Sequence, residues 1–592
     1  MNLKFTSGDL IELKEKLKNL IPDDWKEINP NTFQVKVNGI SINFYTTTGT
    51  IQFQGNPEKV KNYEDQVGKI LNGEKLSIST PLTQTTTKGE EANVKEKKFI
   101  SQSYDDSEII IGLVGAIGTQ YQAVKDILKN RLINNFKYEV EEIKVSEAII
   151  ENLPIYKAPT GQGSHQYERI SNLMKIGNQI REDTSNNSVL ALGAASIINE
   201  KREEKSYRKA YIIDSIKHPD EVKALKEIYG QGFYLIGVYS DINHRTKYLV
   251  NELKLTSEEA NTLISKDESD DVGHGQHTSD TYHLSDFFVD VNYNSQELKQ
   301  NLFRFLDIIF GSPHLTPLFE EYAMFMAFTA SLRSADLSRQ VGAVLTKNED
   351  IIATGANDIP KYGGGLYWPY YDTEKNEFYD FPFGRDYTRS YDSNVIERKK
   401  IIDDIIKKSS EKGIPTEELE EILNSSRLKD LIEFGRVVHA EMETLMTCSR
   451  NNISSRNSVL FCKTFPCHNC AKHIIAAGVD KVYFIEPYPK SKALEFHSES
   501  IKSEIPDPNN VYSQEFTYFI PFIGVGPRKF FDLFSLNSGS GRTIKRKDKD
   551  GNIVIWNPET AKPKIQLLPI SYLEREKQSC ENYKKLINQV SQ

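Results

Sequence analysis

The sequence predicts an α/β protein with two larger α/β units preceded by a small α+β unit. Three observations lead there. The chain has 592 residues, and a single hydrophobic core stops growing near about 250–300 residues. Short apolar runs of strand character alternate with helical stretches through most of its length, the pattern of sheets covered by helices. Residues 76–98, which include Thr83-Gln84-Thr85-Thr86-Thr87-Lys88-Gly89-Glu90-Glu91, are too polar to build a core and read as a linker between the small unit and the rest.

Composition narrows the function classes. With 38% hydrophobic and 27% charged residues the chain has the makeup of a soluble protein. No run of roughly 18 apolar residues marks a membrane span, and Met1 to Ser7 opens no apolar signal segment. The expectation is a cytoplasmic protein without a membrane partner. Five cysteines in a chain this long suit a reducing compartment, where paired cysteines hold metal rather than each other. A net charge of −9 argues against a long polynucleotide as the main substrate, because phosphate backbones require clustered Lys and Arg.

In the first unit, residues 1–75, Leu10, Leu13, Leu17 and Leu20 share one helical face, and Phe33 to Val37, Ile40 to Phe44 and Ile51 to Phe53 read as strands around a Thr48-Gly49-Thr50 turn. The run Asn43 to Gly55 resembles the TBP-like N-terminal substrate-binding domain of bacterial type-III ribonucleases H. That resemblance implies a module that senses nucleic acid or a partner; an accessory domain for assembly is equally open.

Residues 99–312 read as a parallel-sheet unit. Ile109 to Val114 is a buried strand leading through Gly115-Ala116-Ile117-Gly118-Thr119 into a helix over Tyr121 to Leu132. Strand, glycine turn and helix offer backbone N–H groups to a phosphate, which makes Gly115, Gly118 and Thr119 candidate nucleotide-binding residues with a regulatory role. A working P-loop needs Gly-Lys-Ser/Thr, whereas Gly118 is followed by Thr119 with no lysine; a tight turn packing helix on strand explains the glycines as well. Ala210 to Asp214 and Phe233 to Val238 are further strands, with a helix opening after His218-Pro219. His274, His277 and His283 have no metal-ligand spacing and read as loop histidines.

The last unit, 313–592, begins with an apolar-striped helix over Tyr322 to Leu332 and a hairpin, Val341 to Thr346 with Ile351 to Gly355. An insert at 361–435 is aromatic at first (Tyr367, Trp368, Tyr370, Tyr371) and then charged and helical. Its place in the unit suggests closure over a substrate or a subunit contact. Then come His439-Ala440-Glu441 and Pro466-Cys467-His468-Asn469-Cys470. One imidazole and two thiolates, His439, Cys467 and Cys470, suit Zn²⁺ with an open fourth position, which is the catalytic pattern. Glu441 beside them completes the signature of zinc nucleobase deaminases: zinc polarises a water for attack on the ring carbon bearing the amino group, and Glu441 carries the protons. Pro466 is placed at the start of the helix carrying the cysteines, and Gly478 at its end.

Arg333-Ser334-Ala335-Asp336-Leu337-Ser338-Arg339-Gln340-Val341-Gly342-Ala343, Asn357, His439-Ala440-Glu441 and Thr464 to Lys472 resemble the deoxycytidylate deaminases. Glu486 to Ser491 and Pro521 to Arg528 resemble a bacterial anti-phage group in which a P-loop kinase-like domain is fused to a deaminase of free deoxycytidine nucleotides. The resemblance implies a P-loop kinase-like domain over 99–312 and a cytidine-deaminase-like α/β/α domain over 313–592. It implies conversion of dCTP and/or dCMP to dUTP/dUMP, depleting dCTP against phage. It also implies a homo-oligomer, with an RNA or protein inhibitor and a phage-derived trigger left open. Within it, Asn357 and the Ala440 backbone hold the base edge, and Arg333 and Arg339 meet phosphate. Adenine nucleotides or single-stranded nucleic acid as substrate, and a nucleotide-sensing binding protein without catalysis, are the competing readings.

Overall fold

The computed structural model describes residues 2–71 and 107–591, apart from 157–165, 203–207, 270–276, 504–515 and stretches of one to three residues. The linker expected at 76–98, and His274 with its neighbours Asp270 to Gln276, lie outside the described residues. The chain divides into two compact units, Met1–Ser101 and Gln102–Gln592.

The first unit is a five-stranded antiparallel sheet with two helices, Leu10–Leu17 and Pro57–Leu71. Leu13, Leu17, Ile42, Phe44 and Ile51 form its core. Gly49 makes its turn necessary: its φ is +62°, and a Cβ there would lie 2.1 Å from the Phe5 carbonyl oxygen.

The second unit holds two six-stranded sheets. In the first, β1 (Ile109–Val114), β2 (Glu139–Lys144), β3 (Lys209–Asp214), β4 (Phe233–Tyr239) and β5 (Phe287–Asp290) run parallel in the order β2-β3-β1-β4-β5. Every residue of β1 and β3 is buried, as expected for strands covered by helices on both faces. Helix α1 (Tyr121–Asn134) follows β1, and α2 (Gln166–Asp183) and α3 (Val189–Lys201) lie between β2 and β3. Helix α4 (Pro219–Tyr229) opens with a capping box between His218 and Glu221, which accounts for its start at Pro219.

The second sheet contains β6 (Gly342–Lys347), β7 (Asp350–Ala356), β8 (Ser458–Thr464), β9 (Val479–Glu486), β10 (Ile501–Lys502) and β11 (Thr517–Pro521), in the order β7-β6-β8-β9-β11-β10. The β6–β7 hairpin turns on Asn348 and Glu349, with φ of +51° and +63°, the left-handed pair that a two-residue hairpin requires. Helix α5 (Phe319–Ser331) packs on this sheet through Ala323, Met324 and Ala327. Helices α6 (Ala440–Arg450) and α7 (His468–Ala476) bring the motif residues together.

The boundary expected at 312–313 does not divide the second unit into independent bodies. A short strand, β12 (Gly524–Val525), pairs antiparallel with β5 and extends the first sheet. The C-terminal helix α8 (Pro569–Ser591) lies against the same domain: Tyr572 is buried in its core, and Tyr229 Oη donates to Glu576 at 2.9 Å. The segment after β11 therefore completes the sheet begun at residue 109.

Candidate metal centre

His439 is the N-cap of α6, and Cys467 the N-cap of α7. Pro466 thus precedes the cap instead of occupying the first helical position, and the Cys467 sulfur does the capping, accepting the Cys470 N–H at 3.4 Å. The far end follows the expectation: Ala477 is the C-cap and Gly478 adopts φ +70°. Two helix N-termini converge here, and their free N–H groups favour anionic sulfur.

His439 Nδ1 lies 3.3 Å from Cys470 Sγ and 3.4 Å from Cys467 Sγ. The three donor atoms all fall within 4.8 Å of one another. A tetrahedral zinc with the usual bond lengths separates its N and S ligands by about 3.6 Å, so these donors fit the ion with only a small adjustment. The hydrogen bond with Cys470, then those with His439, lower the Cys467 thiol to about 4. Its bond to Cys467 raises the His439 imidazole to about 9. The bond to Cys467 and burial push the Cys470 thiol the other way, upward, so metal binding at this cluster would release protons from Cys470 and His439.

No fourth protein ligand joins the group among the described residues. His468 turns its ring edge-on to Phe496, 5.7 Å between centroids, and His473 Nδ1 lies 2.7 Å from the Asn469 carbonyl oxygen. His277 and His283 form no such cluster either: His277 stacks edge-on against His218, and His283 Nδ1 faces the Ser279 carbonyl oxygen. Glu441 is buried, its Oε2 3.4 Å from Cys470 Sγ, and loss of solvation raises its carboxyl.

The other predicted residues sit around this cluster in different roles. Asn357 is buried, and both ends of its amide bond to main chain: Oδ1 accepts the Val341 N–H at 2.7 Å and Nδ2 donates to the Arg339 carbonyl at 2.8 Å. The Ala440 carbonyl accepts the Thr444 hydroxyl at 2.7 Å. Arg333 donates to the Tyr367 carbonyl and lies 3.7 Å from the Trp368 ring centroid, so it is committed to the insert. Arg339 is exposed, 5.7 Å from the Tyr488 ring centroid.

Two residues that sequence reasoning missed tie the insert to the site. Asp358 pairs main chain with Val438, next to His439. Arg385, 5% exposed, donates to the Tyr367 carbonyl at 2.6 Å and faces the Asp358 carboxylate at 3.5 Å. Adjacency to Asn357 was the one available signal for Asp358; Arg385 offered none.

The Gly115–Thr119 turn spends its groups internally. The Ile117 N–H donates to Asp267 Oδ2 at 2.8 Å, and the Gly115 carbonyl accepts from Lys217 Nζ at 2.8 Å and Tyr121 Oη at 2.9 Å. Gly115 is required because a Cβ would lie 2.6 Å from the Val238 carbonyl oxygen, and Gly118 has φ +83°.

One histidine, two cysteines and a buried glutamate thus meet at the starts of α6 and α7. Residues 318–486 match the cytidine and deoxycytidylate deaminase zinc-binding region. The deoxycytidylate deaminase of phage T4 is 26% identical over 167 residues, 28% of this chain and 77% of that protein. The deoxycytidylate deaminase of Schizosaccharomyces pombe is 22% identical over 314 residues, 52% of this chain and 80% of that protein. ComE operon protein 2 of Bacillus subtilis is 36% identical over 54 residues, and the chain spans 29% of its length. The solved dCMP deaminase of cyanophage S-TIM5 aligns over 35% of this chain and 99% of its own, with 20% identity and a TM-score of 0.20.

Proposed function

We propose that this protein hydrolytically deaminates free deoxycytidine nucleotides, dCMP and/or dCTP, and depletes dCTP in anti-phage defence. The observation that carries the deaminase reading is the buried Glu441 carboxylate two residues from His439 and 3.4 Å from Cys470 Sγ. Three metal donors alone describe many zinc sites; the adjacent buried acid is what a deaminase needs. The two deoxycytidylate deaminase relatives support deoxycytidine as the nucleoside.

In this reading His439 Nδ1, Cys467 Sγ and Cys470 Sγ hold zinc, which when bound lowers the pKa of a water. Glu441 would take one proton from the attacking water and pass it to the ring nitrogen, and would then carry a second proton, from the hydroxyl added at the ring carbon, to the amino group that leaves as ammonia. Burial favours the protonated carboxyl, so Glu441 can carry a proton between the two steps. Asn357 uses one of its two amide N–H groups and one lone-pair direction on main chain, which leaves one N–H for substrate, alongside the Ala440 backbone. Phosphate contact falls to Arg339 rather than to Arg333. The domain over 99–312 acts as a P-loop kinase-like regulatory module, residues 1–75 as a sensor of a phage product or of an RNA or protein inhibitor, and the enzyme as a homo-oligomer.

Single-stranded nucleic acid is the second reading. Tyr362 is fully exposed, and Phe383 is 73% exposed with φ +58°, an uncommon conformation for a bulky residue. Aromatics so placed suit base stacking.

The test is ammonia release from a panel of deoxycytidine and adenine nucleotides and from oligonucleotides. Release from dCMP or dCTP, lost with chelator and restored by zinc, is the expected result. Release from oligonucleotides alone selects the second reading, and release from none of the panel overturns both.

A further inference from the structure

We infer that a cationic ribbon over 544–556 is a docking surface for a second copy of this chain, whose acidic helix Leu419–Ser425 it fits. The inference deepens the homo-oligomer reading and is independent of the deaminase chemistry.

The ribbon has two antiparallel arms. Lys547 pairs with Ile553. Main-chain bonds flank that pair: the Val554 N–H donates to the Arg546 carbonyl at 3.0 Å and the Asp548 N–H to the Asn552 carbonyl at 2.9 Å. Side chains alternate between the two faces of such an arm. Ile544, Arg546, Val554 and Trp556 fall on the inner face. Their arms are anchored there, because Arg546 Nε donates to the Pro313 carbonyl at 2.8 Å, His314 Nε2 lies 2.9 Å from the Val554 carbonyl oxygen, and Trp556 Nε1 donates to the Phe310 carbonyl at 3.4 Å. Asp548 closes the tip, its Oδ1 accepting the N–H groups of Asp550 and Asn552, with Gly551 at φ +87°. The ribbon is thus ordered before anything binds, which lowers the entropy lost on docking.

The outer face carries Lys545, Lys547, Ile553 and Ile555, with Lys549 near the tip, all of them exposed. Ile553 is 74% exposed and Ile555 94%. A lone exposed isoleucine needs no explanation. Two on one face of a rigid arm, bordered by lysines, have the apolar centre and charged rim of an interface.

Charge and apolar content together select the occupant. A phosphate backbone matches the lysines and leaves both isoleucines in water. An anionic lipid surface would have to accept a chain of net charge −9. The chain itself carries the complement. On the insert, Glu417, Glu418, Glu420 and Glu421 are exposed around Ile422, 57% exposed, and Ile414 just ahead of the helix is 51% exposed. Glu418 and Ile422 are four apart and share one helix face, as lysine and isoleucine share one ribbon face. Isoleucine against isoleucine, with lysine against glutamate around them, satisfies both surfaces at once. Both are bare within one chain, so their meeting joins two copies. The two faces differ, which makes the contact head-to-tail and builds a ring where the rotation closes.

Light scattering of the full-length protein across a concentration series tests this. The parent should assemble, and assembly should weaken as salt rises. Lys545→Glu with Lys547→Glu should raise the concentration needed for assembly by about 10²-fold, and so should Glu418→Lys with Glu421→Lys, each variant keeping the parent's thermal midpoint. All four reversals in one chain, or a mixture of the two reversed proteins, should recover assembly, which a folding defect would not do. Ile553→Ser with Ile555→Ser leaves the charges in place and should weaken assembly as well. The inference is overturned if the parent assembles and neither reversal weakens it, or if the combined reversals fail to recover assembly; the homo-oligomer reading then stands on another surface. A parent with the mass of one chain throughout overturns both, and its retention on an oligonucleotide or on anionic vesicles, lost on reversing the ribbon, would assign the lysines to that partner instead.

Discussion

Asp358 and Val438 exchange main-chain hydrogen bonds in both directions, at 3.3 and 3.0 Å, and so close the 361–435 insert at its base. One partner follows Asn357 and the other precedes His439. The insert is thus clamped where it meets the metal centre, and Arg385 supplies the side-chain half of the clamp. Its guanidinium bonds the Tyr367 carbonyl and faces both Asp358 and Asp380.

Arg385→Ala therefore leaves the Asp358 carboxylate, 1% exposed, without its ion-pair partner at 3.5 Å and with only the weaker influence of Arg333. Breaking one side of a buried pair costs about 3–5 kcal/mol. Denaturant unfolding should show a loss of that order, and Asp358→Asn in the Arg385→Ala background should recover some of it. Additive losses in the double variant would separate the two residues.

The acid-side stability should respond to Asp290, at the carboxyl end of β5. Burial, reinforced by Asp241, raises its carboxyl to about 6 against an ordinary 3.8, and Oδ2 has no hydrogen-bond partner. A raised acid favours the protonated fold: its stabilising effect is complete below about 3.8 and is lost as pH rises through about 6. Asp290→Asn should then be more stable than the parent at pH 8 by about 1–3 kcal/mol. The difference should fade below pH ~4, read as paired thermal scans across pH. A constant offset between the two proteins would show that the carboxylate is not the titrating group.

The gathering of His439, Cys467 and Cys470 was legible from local chemistry. Cysteines three apart at a helix start fix their own geometry, and Gly478 marks the end of that helix by its left-handed turn. The β6–β7 hairpin was readable from apolar runs on both sides of Lys347-Asn348-Glu349-Asp350. What stayed hidden depends on contacts far apart in sequence. Asp267 reaching the Ile117 N–H has no pattern around it, because a carboxylate on a polar helix looks like a solvated one. Strand β12 is two residues long, too short for any periodicity, so the return of the C-terminal segment to the first sheet could not be read.

That return makes a prediction about truncation. Glu576 of α8 is fully buried, bonded to Arg202 and to the Tyr229 hydroxyl, and Leu567 and Tyr572 complete the core between α3 and α4. A chain ending at residue 523 should be insoluble or rapidly proteolysed, although it retains every residue of the 318–486 region. Adding 524–592 as a separate polypeptide should restore protease resistance. A soluble, protease-resistant truncated chain would show that the first sheet is stable without this segment.

Glu441 and Cys470 lie in contact, yet their substitutions should separate metal binding from chemistry. Glu441→Gln keeps the shape and removes the titrating carboxylate. General acid–base groups contribute about 10²–10⁴ in rate, so kcat should fall by about 10³-fold while zinc content stays at one per chain. Cys470→Ala removes a donor from a three-donor set, and both metal and activity should be lost. Elemental analysis beside ammonia release reads the two effects independently. Loss of zinc from Glu441→Gln would make this carboxylate a support for the metal, and turnover within tenfold of the parent would leave the proton transfer to another group.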